Sequence, residues 1–150
     1  MRDIYRIRTY DEFTRKWTES IQARIAEFLE LIPQAVGGQL DYSIESLDIL
    51  ENWLLEKYPD YKSARMDSEY AVMDAAGSYV AEVFLKHLGG KWTIELDDQE
   101  NAFLGVPGIR DYQTTDPIHM TLLPTMMVTT SIDRRTGHFI QDRIEQHLKK

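Results

Sequence analysis

The segment from Ala75 to Trp92 constrains this chain more than any other. Its first part places Ala75, Ala76, Gly77, Ser78 and Ala81 within two turns of a helix, residues small enough to admit a neighbouring backbone. Tyr79, Val80, Val83, Phe84 and Leu88 supply bulk on several other sides. A helix that is apolar nearly all round belongs at the centre of a domain. Gly77 in mid-helix costs about 1 kcal/mol relative to Ala, so close packing is its expected compensation. Gly89-Gly90 then ends the helix. Beyond it the period changes to that of a strand, with Trp92, Ile94 and Leu96 on one side and Lys91, Thr93 and Glu95 on the other.

The rest of the chain arranges itself around this unit. Thr9 and Glu12 form a capping signal. Phe13, Trp17, Ile21, Ile25, Phe28 and Ile32 follow at helical spacing and predict one long helix ended by Pro33. Ser43 predicts the cap of a second helix carrying Leu47, Leu50, Trp53 and Leu54. The central helix then starts at Asp67 or Ser68. Residues 102–106 predict the returning arm of a hairpin from Trp92, and residues 117–123 a third strand. Pro124 opens a helix with Met126, Met127, Val128 and Ile132 on its inner side, and Phe139 to Leu148 predict a last short one. The order implies an α+β fold: three N-terminal helices, a small antiparallel sheet of about three strands, and one or two C-terminal helices. No linker or repeat interrupts it, so residues 1–150 are expected to form one domain.

Composition excludes several functions. The chain has no cysteine, which removes disulfides, thiolate metal sites and cysteine nucleophiles. Its formal charge is -8, which opposes nucleic acid and anionic lipid. No apolar run reaches the roughly 18 residues a membrane span needs, and Met1 to Arg6 lead into no apolar signal core, so the cytoplasm is the expected compartment.

Four carboxylates have the spacing of metal ligands: Glu27 and Glu30 on the first helix, Asp48 and Glu51 on the second. Pairs at this spacing are similar to those of helical nucleotide pyrophosphatases. The third helix offers only Glu69, Asp74 and Glu82, without a matching pair. Acids three residues apart are also ordinary on wet helix faces, so no metal, cofactor or catalytic residue is expected. Glu82, set between Ala81 and Val83, is read as a buried brace before a general base. Glu82, Trp92 and His119 are the candidate binding residues. Met120, Met126, Met127, Phe103 and Leu104 add an apolar surface near the sheet, suited to a partner groove or to core.

Leu40-Asp41-Tyr42-Ser43-Ile44-Glu45-Ser46-Leu47 resembles an LDYSxESL helix start, and the helix from Ala76 to Glu82 running into Gly89-Gly90-Lys91-Trp92 resembles a second signature. Together they look like an uncharacterised family of small bacterial single-domain proteins. The resemblance implies a bacterial source and a stand-alone domain, and it carries over no catalytic residue. The leading expectation is a non-enzymatic binding or interaction module whose partner is a protein or a second copy of itself. An immunity-type inhibitor of a basic toxin and a magnesium-dependent hydrolase using the four helical acids are the alternatives.

Overall fold

The computed structural model describes residues 7–115 and 120–148. Thr9 caps α1 (Tyr10–Glu12), its Oγ1 accepting from the Glu12 amide at 3.1 Å. The capping box is shifted by one residue, because Glu12 returns to the Arg8 amide and not to that of Thr9. The long first helix is interrupted. Phe13–Thr18 is a wider π-helical stretch, closed by a Glu19 N–H to Thr14 carbonyl bond of 2.9 Å, and α2 (Ile21–Leu31) starts anew after Ser20. Thr14, Thr18 and Ser20 each donate a hydroxyl to the carbonyl four residues back. Such bonds compete with the regular ladder.

A short turn, α3 (Gln34–Gly37), follows Pro33. The second predicted helix begins two residues later than expected, as α4 (Ser46–Lys57), because the Ser46 amide turns back onto Ser43, whose Oγ and carbonyl both accept from it at 3.2 Å; Tyr42, just before, is left-handed (φ 64°). That loop is held from the centre. The Tyr79 hydroxyl accepts from the Tyr42 amide at 2.9 Å and shares a 2.8 Å hydrogen bond with Ser46, while the two tyrosine rings stack at 4.8 Å. The two signature segments therefore meet at one tyrosine pair. After α5 (Tyr61–Ala64) comes α6 (Tyr70–Leu88), the central helix anticipated from its composition, buried from Met73 to Leu88 along most of its length.

The sheet is smaller than predicted. It has two strands, β1 (Lys91–Thr93) and β2 (Gly108–Arg110), antiparallel with Trp92 opposite Ile109. Gly90 makes the entry tight: a Cβ there would meet the Arg110 carbonyl at 2.7 Å. Residues 102–106 do not form the returning strand. Asn101 captures that segment with its side chain on the Phe103 amide at 2.8 Å and its carbonyl on the Leu104 amide at 3.1 Å, so local turns replace a ladder. Of the expected third strand, residues 117–119 lie outside the described residues. Leu122 contributes a single bridge to Ile109, and Pro124, without an amide hydrogen, begins α7 (Pro124–Arg134) directly after. A second C-terminal helix, α8 (Phe139–Leu148), completes the fold. The architecture is thus mostly helical α+β, with eight α-helical segments among the described residues.

The main core gathers α2, α4, α6, α7 and α8 around Phe28, Leu50, Tyr79, Phe84, Ile132 and Ile144. A smaller cluster places Ile7, Trp17 and Ile94 under β1. No helix among the described residues is long and apolar enough to cross a membrane.

The compensation expected for Gly77 is present. A Cβ at Gly77 would stand 2.6 Å from Thr125 Oγ1, 2.8 Å from its Cα and 2.9 Å from its amide nitrogen. Two of these are backbone atoms of α7 and cannot swing away. Gly77→Ala gains about 1 kcal/mol of helix propensity but forces overpacking that costs typically 1–3 kcal/mol. Urea denaturation should therefore show the variant to be the less stable protein. A gain in stability would mean that α6 and α7 are not held at this distance.

Candidate functional site

The sequence-predicted acids do not converge. Glu27 and Glu30 lie exposed on α2. Asp48 and Glu51 face α8 and are used there. Glu51, fully buried, accepts from the Phe139 amide at 3.0 Å and the Ile140 amide at 2.9 Å, the first free N–H groups of α8. An anion at a helix N-terminus satisfies orphan amides and suits the dipole. Burial pushes the Glu51 carboxyl up, and the two amide bonds pull it back. Asp48 meets His138 Nδ1 at 2.6 Å, and His138 Nε2 lies 3.0 Å from Asp142. The Asp48 hydrogen bond, with the charges of Asp48, Asp142 and Glu145, raises the imidazole above its ordinary value. His138, Asp142 and Glu145 are the one set of three or more potential metal ligands drawn together among the described residues. As it stands, the imidazole already bridges two carboxylates, and of the three residues Asp142 is exposed and the other two are half-buried.

The acids of α6 divide by environment. Asp74 accepts a hydrogen bond from Thr125 and feels the Arg24 charge, but burial dominates and its carboxyl is pushed up to about 7. Arg24 itself is tied down: it donates to Ser20, to Ser78 at 2.9 Å and to the Trp17 carbonyl at 2.8 Å, with its guanidinium 4.0 Å over the Trp17 ring. Glu82 is half-buried, and burial raises its carboxyl. Trp92 packs edge-on against Trp17 with ring centroids 5.5 Å apart. His119, the remaining candidate, lies outside the described residues.

The concave feature is a cleft of about 600 Å³ between the sheet, α7 and α8. Met120, Met126, Met127, Phe103 and Leu122 supply apolar wall, and Phe139 of α8 faces them. Four of the five residues in the predicted apolar surface are thus brought together, and Leu104 is not among the lining. A smaller hollow of about 200 Å³ adjoins it, sharing Phe103, Val106 and Met126 and reaching Met66. Phe103 is 43% and Met120 65% exposed, large values for such side chains beside a cavity. The volume falls in the ligand-site range. Two arginines reach the cleft, Arg110 from β2 and Arg143 from α8, with Glu95 nearby. Sequence reasoning missed both arginines, since nothing in the chain order brings β2 beside α8.

Comparison with protein-family models, with curated proteins and with solved structures gives no match. The chemistry of the site therefore rests on its own residues. An apolar wall with cations at its edge can bind and orient a partly apolar group.

Two stability measurements test this assignment of the buried acids. Glu51→Ala strands two amides at the start of α8 and should cost about 3 kcal/mol in urea denaturation, whereas Glu51→Gln, which keeps one acceptor, should cost less. Equal costs would separate Glu51 from the α8 amides. For Asp74, the unfolded side chain ionises near 3.8 and the folded one near 7. Between these values the fold holds a proton that the unfolded chain has lost, so stability falls as pH rises through that window. Glu51, Glu82 and His138, all raised in the fold, slope the same way. Asp74→Asn should therefore reduce, without abolishing, the loss of stability between pH 4 and about 7. An unchanged slope would show that Asp74 ionises as freely folded as unfolded.

Proposed function

We propose that this protein is a non-enzymatic binding module and that the methionine-lined cleft is its working surface. The observation that carries the reading is the exposure of Phe103 and Met120 beside a cleft whose other walls are Met126, Met127 and Leu122. Apolar side chains left in water at one place mark a site for another apolar surface. Methionine suits the task because its unbranched, polarisable chain adapts to what it meets. The polar groups that a hydrolase would need from Glu27, Glu30, Asp48 and Glu51 are dispersed or engaged elsewhere. The formal charge of -8 argues against nucleic acid and anionic membranes as partners. A cytoplasmic setting fits a chain that does without cysteine. A protein partner or a second copy of the chain can present the apolar group as well as a small molecule can.

A neutral solvatochromic dye tests the site without presupposing the partner. Nile red should bind saturably with a fluorescence rise. Phe103→Asp and Met126→Glu should each weaken it roughly tenfold or more, the scale of losing one buried aromatic or methionine contact. Phe103 lies in an exposed turn, so its variant is expected to fold, and circular dichroism checks both. Light scattering over a range of concentrations reports self-association. Absence of saturable dye binding in a protein that also stays monomeric would remove the reading.

A further inference from the structure

From the cleft's charges we infer that its occupant is a small amphipathic monoanion: an apolar chain or ring system ending in one carboxylate. The inference rests on the binding reading above and adds the ligand's class.

The walls dictate the apolar part. Met126 and Met127 from α7, Phe103 from the turn before β2 and Phe139 from α8 offer no strong hydrogen-bonding group. The charged part follows from the arginines. Arg110 donates its Nε to Thr121 at 2.7 Å, and its two terminal nitrogens have no hydrogen-bond partner among the described residues. Arg143 lies over the Phe139 ring, with its guanidinium carbon 5.4 Å from the centroid, and makes no ion pair among the described residues. Arg24 and Arg135, by contrast, are engaged in structure. Arg24 is bonded to three groups, and Arg135 donates to the Leu55 and Tyr58 carbonyls. Free guanidinium forks match a carboxylate in shape and charge.

The charge count limits the head group. Glu95 lines the same cleft and lies within Coulombic reach of Arg110. Among the described residues, and with the His147 imidazole of the lining neutral, Arg110, Arg143 and Glu95 together leave one net positive charge, in a chain whose formal charge is -8. One negative charge is balanced there and a second is opposed by Glu95. The cleft is thus a local reversal of the molecule's sign, and a cationic amphiphile of equal length is the ligand it should reject.

Decanoate, decanol and decyltrimethylammonium, each kept below its micelle-forming concentration, make the test. Binding is read by NMR on protein carrying ¹³C-labelled methionine methyls, with Met126 and Met127 as reporters. Decanoate should shift both saturably. It should bind at least tenfold more tightly than decyltrimethylammonium, although the protein's overall charge favours the cation. Arg143→Gln and Arg110→Gln should each weaken decanoate several-fold and leave decanol unchanged. Arg143 is exposed, so its variant keeps the test open should Arg110→Gln unfold. Tighter binding of the cation, indifference of decanoate to both substitutions, or no saturable shift with decanoate overturns the inference. Nile red or decanol binding in those cases would leave the binding module standing and refute the anion alone. Loss of the neutral probes as well would remove both.

Discussion

The absent side chain at Gly77 sets the distance between α6 and α7, and much else follows from that distance. Thr125 comes close enough for its backbone to occupy the space of a Cβ. Its hydroxyl then meets Asp74, one helical turn before Gly77, and Ser78 on the next residue receives Arg24 from α2. One close approach thus fixes three helices against one another. It also fixes where α7 starts. Leu123 precedes Pro124 at this contact and Met126 and Met127 follow it, so the cleft wall is positioned by the same packing that organises the core.

Charge does a second part of the organising, and it does so at helix ends. Glu51 closes the N-terminus of α8, and Arg135, left-handed at φ 57°, closes the C-terminus of α4 through the Leu55 and Tyr58 carbonyls. An acid meets a positive helix end and a base a negative one, each in agreement with the dipole. Both interactions flank the same short connection between α7 and α8. Asp48 and His138 reinforce it from the solvent side. The placement of α8, and with it Phe139 and Arg143 of the cleft, therefore depends on charged groups as well as on Ile140 and Ile144 in the core.

The central helix was legible because its small residues, bulk and glycine stop all lie within one short segment, where local pattern and global position agree. The sheet was less so. Residues 102–106 have the apolar content of a strand, yet Asn101 offers a nearer partner to the amides of Phe103 and Leu104 than any neighbouring strand does. The interruption of the first helix at Thr18 followed from hydroxyls whose local bonding the apolar period does not register. Glu51 carried a signal that was there to be read. Leu47, Leu50 and Leu54 form the buried stripe of α4, and Glu51 lies within it by helical spacing. An acid inside such a stripe needs donors, and a helix N-terminus supplies two. The apolar half of the cleft was visible as methionines grouped in the C-terminal third. The arginines were not, because only the folded chain places β2 and α8 on one cavity.

Six large apolar side chains stand exposed among the described residues, and three of them, Met66, Phe103 and Met120, border the cleft or its adjoining hollow. Leaving such a side chain in water forfeits roughly 1.5–3 kcal/mol that burial would provide. Total stability is itself only about 5–15 kcal/mol. The other three, Tyr10, Leu31 and Leu148, stand apart from the cleft, while Phe28, Tyr79, Phe84 and Ile109 are all within 1% of complete enclosure. In the proposed binding module, an occupant of the cleft covers Met66, Phe103 and Met120 and recovers the free energy that folding leaves unused. The arginines then restrict which occupant recovers it, because a guanidinium beside an apolar wall loses hydration when the wall is covered and needs an anion in exchange.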